Sequence, residues 1–299
     1  MHQRHHSLHQ DDSSKRLALA FFLNVSFTII EFIGGWLTNS TAIMADAVHD
    51  LGDSLSIGSA WLLNRLGQKS ANSEFTYGYR RLSLFGALIN GLILIGGSVW
   101  VLTEAIPRLA NPVMPVTEGM LALALLGVAV NGFAAYRLSK GKTLNEKVLN
   151  WHLLEDVLGW VAVLIVAIIL QFVDWPILDP LLSIGFTLFI LVNVVRTLSA
   201  TARLFLQAAP DKALQDQIQS TLQLIEGLDS VHHLHLWSLD GEHHVLTAHI
   251  VLNSSENFDA DSYAEMKHKI ADALEQFELA HTTIELELTH ENCRDEGQF

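Results

Sequence analysis

Ala45-Asp46-Ala47-Val48-His49-Asp50-Leu51-Gly52-Asp53 and, later in the chain, Trp151-His152-Leu153-Leu154-Glu155-Asp156 each set a histidine four residues before an aspartate. On a helix that spacing puts both side chains on one face. Both stretches lie inside long apolar segments, where an ionisable group is expensive and reads as a functional residue. Two such faces brought together offer two imidazoles and two carboxylates, the four-ligand tetrahedral set that zinc accepts.

Working outward from these stretches, six apolar segments can be marked at approximately 17–37, 42–64, 82–106, 116–138, 147–172 and 177–204. Each is close to the ~20 residues that a bilayer-spanning helix needs. The chain has 299 residues, is 50% hydrophobic and only 17% charged, which fits a membrane protein with a soluble part. Nothing at the start reads as a cleavable signal peptide, because the first residues are polar and histidine-rich.

Basic residues set the expected orientation. Lys15 and Arg16 precede the first segment, Arg65, Lys69, Arg80 and Arg81 lie around the second connection, Arg137, Lys140, Lys142 and Lys147 around the fourth, and Arg203 follows the sixth. The alternate connections hold only Arg108 and Asp174. The positive-inside rule then puts both termini in the cytoplasm, with Trp36, Trp100 and Trp175 at the opposite interface. Entered from the outer side near Ala42, the second helix carries Asp53 roughly 16 Å deep at 1.5 Å per residue. Entered from the cytoplasmic side near Leu144, the fifth carries Asp156 roughly 18 Å deep. Both carboxylates reach the middle of a ~30 Å hydrocarbon core. Asp46 reads either as an exit-path residue or as packing, Asp50 as a helix contact, and Glu31, Asn24, Asn90 and Asn131 as packing or water-contact groups.

After Pro210 the pattern becomes that of a small soluble domain. Residues 214–225 and 263–277 have helical periodicity, while 232–237, 245–252 and 282–288 read as strands, with a turn signal at Asp240-Gly241. This order, αββαβ, predicts an open-faced α/β sandwich. Residues 208–299 hold 18 acidic and 4 basic side chains, against 14 of each before them, so the whole net charge of -14 sits here. Such a domain repels nucleic acid and attracts cations. Alternation sends Ile284, Leu286 and Leu288 to the core and Glu287 to the other face, which it shares with His249. Alternation in the first strand favours His233 and His235 for that face; His243, His244 and His268 read as solvated.

Cys293 is the only cysteine, which excludes an intramolecular disulfide and a cysteine-rich zinc module. It either joins His281 or His290 in a weak site or is inert. The N-terminal His2, His5, His6 and His9 either capture metal or belong to a tail with no fixed role. The connection 68–77 has no histidine and one carboxylate, Glu74, so no metal site is expected there. An intramembrane zinc protease needs a ligand vacancy and a general base, commonly as His-Glu-x-x-His, and no such motif occurs. A membrane-bound metal sensor is the remaining rival and needs an output module that the small C-terminal fold does not provide.

The paired His-x-x-x-Asp motifs, together with Phe75-Thr76-Tyr77-Gly78-Tyr79-Arg80-Arg81, resemble the cation diffusion facilitator family in its zinc-transporting branch. Val231-His232-His233-Leu234-His235-Leu236-Trp237, Thr247-Ala248-His249-Ile250 and His281-Thr282-Thr283-Ile284-Glu285-Leu286-Glu287 are similar to that family's cytoplasmic domain, so the resemblance runs from Lys15 to Leu288. It implies a bacterial inner-membrane homodimer, not an enzyme, in contact with lipid and with no nucleic-acid partner. Its layout would be a tail at 1–14, an all-α six-helix transmembrane domain at 15–207 and a ferredoxin-like cytoplasmic domain at 208–299. The implied function is zinc export by metal/proton antiport through His49, Asp53, His152 and Asp156, or a broader export of zinc, cadmium, cobalt and nickel. The resemblance also implies a cytoplasmic metal site at His232, His249 and Glu287, in disagreement with strand alternation over His232.

Overall fold

The computed structural model describes residues 3–67, 71–139, 144–253, 259–293 and 295, with side chains at 21–59, 71–137, 139, 152–253, 259–293 and 295. His2, His5, His6 and His9 lie outside the described side chains. Six helices come first: α1 Gln3–Thr38, α2 Thr41–Gly67, α3 Leu82–Ala110, α4 Thr117–Leu138, α5 Leu144–Phe172 and α6 Leu178–Phe205. They fall on the six apolar segments, with α1 beginning well upstream of its apolar part. Five contain a stretch long and apolar enough to cross a membrane. The sixth, α2, has the length but carries Asp46, Asp50 and Asp53 in its middle, the residues that make it chemically interesting.

Residues 1–63 and 86–198 form one compact unit. Its core joins Phe27, Ile43, Met120, Trp160, Val163 and Leu170, while Ala45, Val48, Leu94, Val101, Ile190 and Val194 form a second cluster. Helices α4 and α5 approach closely because Gly127 has no side chain: a Cβ there would lie 2.1 Å from the Trp160 ring. The glycines of α3 divide between two roles. Gly91 and Gly97 meet Leu198 and Val48 of the same chain, whereas Gly96 faces open space. Outward, the helices expose Ile29, Ile33, Leu92, Leu125, Leu158, Ile165 and Phe189, surface that hydrocarbon would cover.

Residues 64–85 and 199–299 form the second unit. It contains α7 Lys212–Gln223, β1 Leu228–Ser238, β2 His244–Leu252, α8 Ala260–Glu275 and β3 His281–Leu288. The sheet order is β1-β2-β3, with β1 and β2 antiparallel and β2 and β3 parallel. Parallel pairing needs a crossover, and α8 provides it. The helices start earlier than periodicity alone predicts because Asp211 and Asp259 cap them, accepting from Ala213 N and Ser262 N. Ile218, Leu222, Leu236, Leu246, Ile250, Met266, Ile270 and Leu274 fill the space between sheet and helices.

Two local features shape this unit. The β1–β2 hairpin turns at Gly241, φ 101°, where the Asp240 carboxylate accepts from Glu242 N at 3.0 Å and His243 N at 2.8 Å. Further along β1, His232 pairs with His249 but His235 pairs with Thr247, which leaves one extra residue on β1. That extra residue is a β-bulge, and His233 takes the left-handed conformation at φ 46°. The connection between α2 and α3 belongs to this unit as well. Phe75 and Tyr79 stack 4.6 Å apart, and Arg80 lies 4.0 Å from Asp240.

Candidate functional site

The two His-x-x-x-Asp faces meet. His152 Nε2 lies 2.8 Å from Asp53 Oδ2, and His49 Nε2 lies 3.5 Å from Asp53 Oδ2 and 3.7 Å from Asp156 Oδ1. His152 Nε2 lies 4.0 Å from Asp156 Oδ2. One ligand atom from each of the four residues falls within 4.8 Å of the other three. A tetrahedron with donors ~2.0–2.1 Å from a metal has edges of roughly 3.3–3.4 Å. The four histidine–aspartate separations, 2.8–4.0 Å, straddle that value, and the full set, within 4.8 Å, must draw closer to hold an ion.

Asp53 Oδ2 and Asp156 Oδ1 are buried, and their described ion-pair contacts are the imidazole rings of His49 and His152. The histidine rings lie 5.6 Å apart edge to face, and Phe186 of α6 packs on His49 at 5.8 Å. One helical turn beyond Asp156, Trp160 is fully buried against Phe27. The site is thus walled by packed aromatics on α1, α5 and α6.

Four further carboxylates are buried among the described residues of this helical unit: Glu31, Asp46, Asp50 and Asp179. Glu31, Asp46 and Asp50 are at most 2% exposed, and both oxygens of Glu31 and Asp50 lack a hydrogen bond. The helix contact expected for Asp50 exists, but through its backbone: Asn24 Nδ2 donates to Asp50 O at 3.3 Å and to Ser54 Oγ at 3.1 Å. Glu31, expected as a packing or water-contact group, is fully buried with both oxygens without a hydrogen bond.

In the second unit, His249 Nδ1 lies 2.7 Å from Glu287 Oε1, and His232 Nε2 lies 3.2 Å from Glu287 Oε2. The bulge explains why alternation misleads: the residue inserted at His233 shifts the facing of everything before it, so His232 rather than His233 stands opposite His249, while His235 pairs with Thr247. His233 is not remote, since its ring lies 5.2 Å from that of His249. Cys293 does not join His281 or His290. Its Sγ lies 3.4 Å from His249 Nδ1, and His281 instead packs on Tyr77 at 5.7 Å.

His243 is not simply solvated, because its Nδ1 lies 2.7 Å from Asp240 Oδ2. Burial pushes the Asp240 carboxyl upward, but the amides of His243 and Glu242 and the His243 ring outweigh it and hold the group below the usual carboxylate range. Burial lowers the neighbouring His244.

Residues 17–206 match the family model of the cation efflux transmembrane domain, and residues 210–288 match that of the cation efflux protein cytoplasmic domain. The chain is 32% identical over 291 residues to the "Cadmium, cobalt and zinc/H(+)-K(+) antiporter" of Bacillus subtilis, covering 96% of this chain and 93% of that protein. It is 31% identical over 293 residues to the "Zinc transporter ZitB" of Yersinia pestis, covering 96% and 92%. To the "Metal cation efflux system protein CzcD" of Cupriavidus metallidurans it is 30% identical over 282 residues, covering 94% and 88%. The helices, the acidic α/β unit and these matches agree, and the chain belongs to the cation efflux, or cation diffusion facilitator, family of multi-pass membrane metal transporters.

Proposed function

We propose that this protein exports zinc from the cytoplasm in exchange for protons, with His49, Asp53, His152 and Asp156 as the transport site. The observation that carries the reading is the convergence of these four donors within 4.8 Å on helices of an apolar bundle. Zinc binds neutral imidazole and ionised carboxylate, so loading the site displaces protons. Once the site faces the other side, arriving protons compete for the same four side chains and release the metal. An inward proton gradient then drives efflux.

Two nitrogens and two carboxylate oxygens suit zinc, and cadmium follows on coordination chemistry. Relatives named for cadmium, cobalt and zinc support the broader substrate range as a second reading. The basic residues around the second and fourth connections support cytoplasmic termini in a bacterial inner membrane. The cytoplasmic-domain match supports a homodimer, and the extents of the two family matches, 17–206 and 210–288, are consistent with a tail at 1–14 and a boundary between membrane and cytoplasmic domains near residue 207. His232, His249 and Glu287 form the basis of a separate cytoplasmic site for an ion that regulates or stabilises.

The test is zinc flux in proteoliposomes under an imposed pH gradient, comparing wild type with His152→Ala and His249→Ala. Loss of flux in the first with flux retained in the second is expected. Undiminished flux in His152→Ala overturns the site assignment. Wild-type flux that ignores the pH gradient overturns the antiport, and no flux at all favours a sensor.

A further inference from the structure

We infer that Cys293 is the fourth ligand of the cytoplasmic metal site, which makes that site a soft, thiolate-containing centre closed by residues of one chain. The inference rests on the reading of His232, His249 and Glu287 as metal ligands and adds the donor that those three leave open.

The geometry is the first support. One donor atom each from His232, His249, Glu287 and Cys293 lies within 4.8 Å of the other three. With Zn–S near 2.3 Å and Zn–N near 2.0–2.1 Å, the sulfur and a nitrogen of a tetrahedral site stand roughly 3.5–3.6 Å apart. Cys293 Sγ and His249 Nδ1 are 3.4 Å apart. Nδ1 is also the nitrogen that faces Glu287 Oε1, so a single edge of the His249 ring serves the site. Its opposite edge, Nε2, faces carboxylates of Glu285 and Asp295 at 3.7 Å each. At that distance the two carboxylates form no hydrogen bond with the ring but add negative potential beside it, which favours a cation at the site.

Electrostatics provide a second, independent support. Glu287 is 6% exposed, and its described ion-pair contacts are histidines alone, with no lysine or arginine among them. His232 Nε2 is buried and makes no hydrogen bond although it faces this carboxylate. A buried carboxylate and a buried imidazole nitrogen without a hydrogen bond, aimed at one point, call for a cation. A divalent ion held by Glu287, a Cys293 thiolate and two neutral imidazoles leaves the cluster with no net charge.

The chain reaches the site by a tight fold-back. After β3, Glu291 N donates to Leu288 O and Leu288 N donates to Glu291 Oε2, a turn that returns Cys293 over the polar face of the sheet. A metal bound there ties the end of β3 to the middle of β2 and the bulge of β1. A thiolate among the donors favours zinc and cadmium over manganese or magnesium.

Because Cys293 is the only cysteine, its ligation can be read directly. In full-length protein carrying Asp53→Ala and Asp156→Ala to disable the transmembrane site, titration with cadmium is expected to raise a thiolate-to-cadmium charge-transfer absorption that saturates at one ion per chain. The band should vanish in Cys293→Ser, and zinc affinity there should fall tenfold or more. Alkylation of Cys293 by iodoacetamide should slow when zinc is present, and this protection should be lost in His249→Ala. No band together with unaltered alkylation overturns the inference. If zinc binding is then unchanged in Cys293→Ser but lost in His232→Ala, the three-residue site stands and only the thiolate is wrong. If zinc binds in none of these proteins, the cytoplasmic reading itself fails.

Discussion

Asp179, at the start of α6, caps the first turn of α2 across the bundle at Thr41. Its Oδ2 accepts from Thr41 N at 2.7 Å and Thr41 Oγ1 at 2.8 Å, and its Oδ1 accepts from Ser40 Oγ at 2.5 Å and Ala42 N at 3.3 Å. Ser183 Oγ, one turn on, donates to Thr41 O at 2.9 Å. Asp179 is 1% exposed, so the amides at this end of α2 have no water to replace it. The helix that carries His49 and Asp53 is therefore anchored at its end by a residue 138 positions away.

Asp179→Ala removes four acceptor contacts and leaves buried donors unpaired, at a cost of about 1–3 kcal/mol. A clear fall in the thermal midpoint of the purified protein in detergent is expected, with a smaller fall for Asp179→Asn. An unchanged midpoint in the alanine variant would show that the cap contributes nothing.

Gly127 and Gly132 lie on the same helix and predict opposite outcomes. A Cβ at Gly127 would overlap the Trp160 ring at 2.1 Å, while one at Gly132 meets nothing within 4 Å. Gly127→Ala should destabilise by about 1–3 kcal/mol through overpacking, and should reduce zinc flux because Trp160 sits one turn from Asp156. Gly132→Ala should be neutral or stabilising by up to about 1 kcal/mol. Thermal unfolding beside vesicle flux checks the pair; equal effects of the two substitutions would exclude the close approach as their cause.

His233 holds the bulge at φ 46°, a conformation that costs a residue with a side chain about 1–2 kcal/mol. His233→Gly should stabilise the protein and leave cytoplasmic zinc binding intact. His233→Val should favour a regular strand, turn His232 away from His249 and weaken binding. Calorimetric zinc titration of chains carrying Asp53→Ala and Asp156→Ala separates the two; tighter binding in the valine variant is the outcome that contradicts a bulge-dependent site.

Asp240 predicts part of the acid response. Its folded pKa lies below the ordinary value, so its stabilisation is present above that ordinary value and is lost as pH falls through the folded one. Between pH 5 and pH 3 the wild type should lose more stability than Asp240→Ala, which has already lost the contribution at neutral pH. Parallel losses in unfolding experiments at these pH values would remove Asp240 from the account.

The spans, the acidic unit and the two His-x-x-x-Asp faces that converge were legible in the chain because each rests on a local rule. Hydrocarbon selects runs of ~20 apolar residues, helical geometry aligns positions four apart, and an ionisable group in such a run is too costly to be accidental. The open-faced sandwich was legible from periodicity for the same reason, although its helix starts moved to Asp211 and Asp259 once capping was resolved.

Other features depend on where distant segments land. Nothing local to Asp179 says that it caps Thr41, since the partner is fixed by how α2 and α6 pack. The facing of His232 hinges on one inserted residue, which reverses a period-two pattern without altering its composition. Cys293, alone in the sequence, gained its neighbours only from a turn after β3. The sequence by itself determined which groups are too costly to bury without purpose; the tertiary structure decided which of them share a site, because pairing energies depend on distances of a few ångströms that no local periodicity encodes.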